Sequence, residues 1–280
     1  MIKEIKKITN NKVDFLNLQE NHLSIQLSLD GFSFCVYNKI QDEIGVFAVY
    51  EFVAKIDSPY KHLELIKQLY QQETLLQVKY NSVSVTHSNN LVTQVPKAFF
   101  DKDNLADYLQ HTVKVLENDF ITYDEIRNSE IINVYIPFVN INNFLLDIYG
   151  TFVYKHSSTI LIGKLLNNYK NLEGDFCFIN VSKNNFEIIV LINKKLELFN
   201  SFSFNTKEDF IYYILFTAEQ LNLNPEEFNL VLLGDIEKKS ELYEILYQYI
   251  RNIKFYEPIN SPSILNSISS HSNFTLLNQL

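Results

Sequence analysis

The stretch Leu23-Ser-Ile-Gln-Leu-Ser-Leu-Asp-Gly-Phe-Ser-Phe-Cys-Val-Tyr37 decides the reading of the fold. Apolar and polar residues alternate on both sides of Asp30-Gly31, which is the period of a strand with one buried face. An Asp-Gly pair between two such runs is a hairpin turn. Working outward, Gly45-Val-Phe-Ala-Val-Tyr50 reads as a third strand. Ser58-Pro59 supplies the N-cap and first-turn proline of a helix, with Leu63, Ile66, Leu69 and Tyr70 on one face. Leu75–Tyr80 reads as a fourth strand, and Val83–His87 continues the sheet or opens a further hairpin. After the polar residues Asp101–Asn104 a helix is expected to hold Leu105, Leu109, Val113 and Leu116.

The same order returns in the second half. Gly174–Val181, Phe186–Ile192 and Leu196–Phe202 read as strands. Thr206 with Asp209 three residues on is a capping box, opening a helix to about Leu221. Leu230-Val-Leu-Leu-Gly234 is a short apolar run of the kind found in buried parallel strands. A helix over Ser240–Ile250 and a last strand from Ile253 to Tyr256 close the series. Each half thus reads strand, strand, strand, helix, strand, helix, a repeat of architecture and not of residues. The segment Glu130–Tyr169 carries strand and helix signals of its own. The expectation is an α/β protein of two tandem lobes, 1–128 and 129–260, each with a mixed five-stranded sheet flanked by helices. A cleft is expected between the lobes, and residues 261–280, rich in Ser and Asn, are expected to form a loosely packed tail.

Composition bounds the function. Against 24 Lys and Arg stand 33 Asp and Glu, a formal net charge of -9, which disfavours nucleic acid or anionic lipid as a partner. Arg127 and Arg251 are the only arginines, so forked phosphate contacts are scarce. The charged start lacks the apolar stretch of a secretory signal. The most apolar region, Ile131–Tyr154, is interrupted by Pro137 and Asp147, so no membrane insertion is expected. Cys35 and Cys177 form no CxxC pair and read as two buried thiols in a reducing compartment, hence a cytoplasmic expectation.

Candidate chemistry is sparse. Histidines 22, 62, 87, 111, 156 and 271 show no metal-binding spacing, so no metal site is assigned. Lys155-His156-Ser157-Ser158-Thr159 suggests a Ser/His nucleophile, but strand neighbours point to opposite faces. Ser157 or Ser158 reads instead as a helix N-cap. The acidic run Asp119–Glu130 reads as a solvated face or as a docking edge for a basic partner. Tyr212, Tyr213 and Phe216, and likewise Tyr243, Tyr247 and Tyr249, lie too close on their helices to share one side. They read as packed stems with wet hydroxyls, or as a contact surface.

The opening hairpin, Leu91–Phe100 with its Val-Pro before an aromatic pair, Asn133–Pro137 and Lys155–Ile162 together resemble the DUF3822 family of Bacteroidetes proteins, over about residues 20–260. The duplicated unit resembles the actin-like ATPase fold, built from two ribonuclease-H-like halves. The resemblance implies a fold and not a reaction. Active members of that fold press two glycine hairpin turns onto phosphates, place an Asp in each, and lay adenosine on a Gly-Gly turn. Here the corresponding strings are Asp30-Gly31-Phe32-Ser33, Asn180-Val181-Ser182 and Leu233-Gly234-Asp235. Asp30, Gly31, Ser33, Asn180, Ser182 and Gly234 are therefore the candidate groups of a vestigial nucleotide cleft, with Phe32 expected to obstruct it. No catalytic residue and no cofactor are expected; ATP with Mg²⁺ is the alternative occupant. The expected function is a non-catalytic, monomeric or homodimeric scaffold that binds another protein. The alternative is a nucleotide or small-ligand binding protein, or a weak ATPase.

Overall fold

The computed structural model describes residues 1–10, 20–53, 56–258, 269 and 271–279. The chain divides into two compact units within one helix, after Leu161; the C-terminal residues from Thr275 return to the first unit.

In the first unit the hairpin around Asp30-Gly31 is present as β2 (Asn21–Ser28) and β3 (Gly31–Asn38), after β1 (Ile2–Thr9) and before β4 (Glu43–Phe52). Helix α1 (Pro59–Gln72) is capped by the Ser58 hydroxyl, which accepts the Lys61 N–H. β5 (Ser82–Ser88) then runs parallel to β2. A small antiparallel sheet is inserted next: β6 (Val92–Pro96), α2 (Leu105–Leu109), β7 (Thr122–Glu125) and β8 (Ile131–Tyr135). It has its own core of Val95, Leu109, Ile132, Val134 and Ile136. Helix α3 (Val139–Tyr149) and β9 (Val153–His156) complete the main sheet, whose order is β1-β4-β3-β2-β5-β9. Leu23, Ile25, Leu27, Phe32 and Phe34 form its core with Leu65, Ile66 and Leu69 of α1.

Helix α4 (Ser157–Tyr169) leads into the second unit, which contains β10 (Phe176–Val181), β11 (Asn185–Ile192), β12 (Lys195–Ser203), α5 (Lys207–Gln220), β13 (Asn229–Gly234), α6 (Glu241–Tyr249) and β14 (Asn252–Phe255). Its sheet has the order β12-β11-β10-β13-β14. The expected capping box is formed: Thr206 Oγ1 accepts the Asp209 N–H, and Asp209 Oδ2 accepts the Thr206 N–H. With β1 and the inserted sheet set aside, both units run strand, strand, strand, helix, strand, helix, strand, with the same strand order from β4 to β9 and from β12 to β14. The actin-like architecture of two ribonuclease-H-like sheets is thus present. The first sheet has six strands and not five, because β1 adds to β4. β1 is half lysine and glutamate, which hid it in the sequence and suits an edge strand.

Three other expectations are corrected. Leu75–Tyr80 is not a strand; Thr74–Gln77 is a single 3₁₀ turn. The apolarity there comes from packing, since Leu76 is fully buried and Leu75 and Tyr80 lie against the first core. The helix expected to reach Leu116 ends at Leu109, where the Thr112 and Val113 amides both turn back onto the Leu109 carbonyl. The described part of the C-terminal stretch is not loose: Phe274 and Leu276 are buried, while 260–268 lie outside the described residues. The final helix α7 (Phe274–Leu277) opens that packing. Thr275 donates to Gln26 at 2.5 Å and Gln279 donates to the Ile25 carbonyl at 3.2 Å. Part of the polar face of β2 is therefore covered by chain, not by solvent. No helix among the described residues is long and apolar enough to cross a membrane.

Candidate functional site

Of the six candidate residues, Asp30, Gly31 and Ser33 sit at the β2–β3 turn of the first unit. Asp30 Oδ1 accepts the Ser28 hydroxyl at 2.6 Å, and the Asp30 carbonyl accepts the Phe52 N–H at 2.8 Å. Gly31 is packed on β4, where an added Cβ would lie 2.6 Å from the Tyr50 carbonyl oxygen. Ser33 is buried. Phe32 does not obstruct the turn as expected. Strand alternation carries its ring into the core, 6.1 Å from the Tyr70 ring in an edge-on contact. Trimming it opens a void in the core and not a phosphate pocket. Phe32→Ala is expected to cost about 3–5 kcal/mol in urea unfolding, with no gain of nucleotide binding.

In the second unit the structure brings Asn180, Ser182 and Gly234 to one end of the sheet, because β10 and β13 pair Asn180 with Leu233 and Val181 with Gly234. Their polar groups are engaged by the chain itself. The Asn180 side-chain amide donates to Glu187 Oε2 at 2.8 Å across β10 and β11. Burial raises the Glu187 carboxyl above its ordinary range, against the lowering effect of that bond. The Ser182 N–H donates to the Asn185 carbonyl at 2.8 Å. The Gly234 N–H donates to the His271 carbonyl at 2.8 Å, and His271 Nε2 donates in turn to the Ile236 carbonyl at 3.0 Å. The Gly234 turn therefore carries this chain's own residues 271–272, the Ser272 hydroxyl also reaching the Gly234 carbonyl at 3.4 Å. The next helix, α6, opens farther on, where the Ser240 hydroxyl accepts the Tyr243 N–H.

A second polar constellation was only half legible. His156 and Ser158 do meet, at 2.7 Å, because the strand ends at His156 and the helix starts at Ser157, so strand alternation no longer separates them. The Nε2–H of His156 donates to the Asn89 carbonyl at 3.0 Å, leaving Nδ1 as acceptor for the Ser158 hydroxyl and, at 3.2 Å, the Ser158 N–H. The imidazole, not a serine, thus satisfies a first-turn amide of α4. Asn133 donates to Ser158 Oγ and Thr159 Oγ1, each at 2.8 Å. Asp124 Oδ2 accepts the His156 N–H and the Thr159 hydroxyl, each at 2.8 Å, and Oδ1 accepts Tyr135 at 3.3 Å. Asp124 is thereby drawn out of the acidic run that had read as solvated. Burial raises its carboxyl and outweighs these bonds.

This cluster has the parts of a Ser/His dyad without its use. His156 and Ser158 are each 0 % exposed, so no substrate atom can approach the hydroxyl. The carboxylate binds the histidine backbone and not its ring. What the cluster does is fasten β7 and β8 of the inserted sheet to the β9–α4 junction. No group of His, Cys, Asp and Glu among the described residues could hold a metal ion.

The whole arrangement is similar to known structures. A Bacteroides thetaiotaomicron protein with an actin-like ATPase fold and unknown function is 25 % identical, with a TM-score of 0.79, covering 89 % of this chain and 95 % of that one. A chain of the PilM–PilN type IV pilus biogenesis complex is 12 % identical, with a TM-score of 0.51, covering 85 % of this chain and 88 % of that one. No curated protein matches the sequence. The model of DUF3822, a protein family of unknown function, matches residues 10–253, and the chain belongs to that family.

Proposed function

We propose that this chain is a non-catalytic member of the actin-like fold that works by binding another protein. The observation that supports this reading is the state of the Gly234 turn. Its N–H is spent on the His271 carbonyl, and the neighbouring Asn180 amide is spent on Glu187. A nucleotide would have to displace an internal hydrogen bond and the chain that makes it, next to the acid Asp235. Exposed aromatics supply the means for protein contact: Tyr212 and Phe216 on α5, and Tyr247 and Tyr249 on α6, are all exposed. Large rigid rings of this kind carry much of the energy of protein interfaces.

The test is thermal unfolding with and without Mg·ATP. A ligand that binds only the folded state raises its stability with concentration. The expected result is an unchanged midpoint at saturating Mg·ATP. A rise of several degrees that Asp30→Ala abolishes overturns the proposal in favour of a nucleotide-binding protein.

A further inference from the structure

We propose that the outer layer of the inserted sheet, where Phe99 and Phe120 stand among acids, is the docking surface for a segment of another protein that carries basic and apolar side chains. The inference rests on the protein-binding reading above and adds to it a place and a partner chemistry. It starts from two phenylalanines. Phe99 is 76 % exposed and Phe120 is 53 % exposed. The exposed tyrosines of α5 and α6 can wet their hydroxyls, whereas a phenyl ring has no polar group to offer water. Exposed apolar side chains that gather on one surface mark a contact site, where scattered single ones do not.

The chain gathers these rings and fixes them. Lys97–Phe99 form a 3₁₀ turn directly after β6. The Tyr108 hydroxyl donates to the Phe99 carbonyl at 2.7 Å and accepts the Asp101 N–H at 2.7 Å, so it clamps the backbone on both sides of Phe100. The Phe100 ring lies against the small core, stacked on Tyr108 at 6.1 Å between centroids and 4.8 Å from the exposed Tyr123. That last contact joins the segment of Phe99 to the segment of Phe120. A second clamp precedes Phe120: the Leu116 N–H donates to Asp119 Oδ2 at 2.8 Å, and the Asp119 N–H donates to the Leu116 carbonyl at 3.0 Å. Leu116 is exposed as well. The apolar groups are therefore held on a tied backbone, and an ordered surface loses less entropy on binding.

Charge names the partner. Between Lys97 and Glu130 the chain carries eight Asp and Glu against four Lys and Arg, a net charge of -4. Asp103 and Asp107, four residues apart along the run into α2, are both exposed, as is Glu117 beside Leu116. Among the described residues no ion pair engages these three. Acids interleaved with apolar groups complement a segment in which Lys or Arg is interleaved with apolar residues. The cations of such a segment also sit favourably over exposed ring faces. The same acids repel nucleic acid and anionic lipid. A second copy meeting this face with its own would set the acids against each other.

The experiment is selection of short random peptides, displayed on phage, against the full chain. The enriched peptides are expected to carry a surplus of Lys and Arg beside Leu, Ile or Phe, and a synthetic copy to bind less tightly as sodium chloride is raised. Phe99→Ser, and separately Asp103→Lys with Asp107→Lys, should each weaken the synthetic peptide about tenfold, with an unchanged circular dichroism spectrum. Tyr212→Ser should leave its Kd unchanged. Enriched peptides without net positive charge overturn the proposal, as does selection that enriches none. Binding that Tyr212→Ser removes and Phe99→Ser leaves intact also overturns it, while the protein-binding reading stands. That reading is tested separately by the Mg·ATP melting experiment.

Discussion

Acidification from pH 6.5 to pH 4 is expected to unfold the first unit. His22, His62, His87 and His156 are all buried there. Burial, with Lys39 adding to it at His22, lowers His22 to about 4, and burial lowers His62 and His156 to about 4 as well. Burial lowers His87 to about 3, with His156 and His62 adding to it as positive neighbours once charged. In the unfolded chain each returns to about 6.5. Between the two values the unfolded state binds more protons, so stability is fully present above pH 6.5 and drains away as pH falls through the folded values. One pKa unit is worth about 1.4 kcal/mol, so the four groups together approach roughly 10 kcal/mol, comparable with the whole stability of a domain. Asp124, in the same unit, acts in the opposite sense. Its raised value makes the folded state the better proton acceptor, which offsets part of the loss at the acid end. Urea midpoints followed by far-ultraviolet circular dichroism should fall steeply below pH 6.5, and His156→Asn should flatten the fall. A midpoint that holds level from pH 6.5 to pH 4.5 would remove the argument.

Those histidines also mark the boundary of what the sequence could tell. Period-two alternation placed β2 and β3 because a strand buried on one face writes that pattern directly. It misjudged the other face. His22, Ser24 and Thr86 look like solvent-facing residues, yet all are buried. The cover over part of that face comes from Thr275 and Gln279, some 250 positions downstream, and no local pattern records it. The candidate site divides in the same way. The three turn strings were found at the correct strand ends, since turns are local. That the Gly234 amide is engaged by His271 is a long-range fact. Phe32 was placed correctly on its strand and wrongly in space, because the resemblance suggested a clash while the alternation already sent its ring inward. The His156–Ser158 contact escaped for a different reason. It depends on the single residue at which the strand becomes a helix, and boundaries are where pattern reading is weakest.

Gly234→Ala is expected to abolish folding of the second unit. The residue has φ +81°, and an added Cβ would lie 2.0 Å from the Val181 carbonyl oxygen and 2.7 Å from the Val181 nitrogen. Neither side can give way. Val181 is held between two strands, by its pairing with Phe186 on β11 and with Gly234 on β13, and its carbonyl accepts the Asp235 N–H at 2.8 Å. Positive φ alone costs an alanine about 1 kcal/mol. Gly150 isolates that term, having φ +78° with nothing within 4 Å of the added carbon. Gly150→Ala should therefore lose about 1 kcal/mol in urea unfolding. Gly234→Ala adds a backbone overlap beyond ordinary overpacking, itself about 1–3 kcal/mol, and should leave the second unit unfolded or the protein insoluble. Equal losses in the two variants would show that the strands can part to admit the methyl group. The comparison bears on function as well as stability. If Gly234 is demanded by the Val181 backbone, a glycine at this turn is explained by packing within the sheet, and its presence carries no weight as a remnant of an adenosine site. The case for or against a nucleotide then rests on what occupies the turn, which in this chain is the carbonyl of His271.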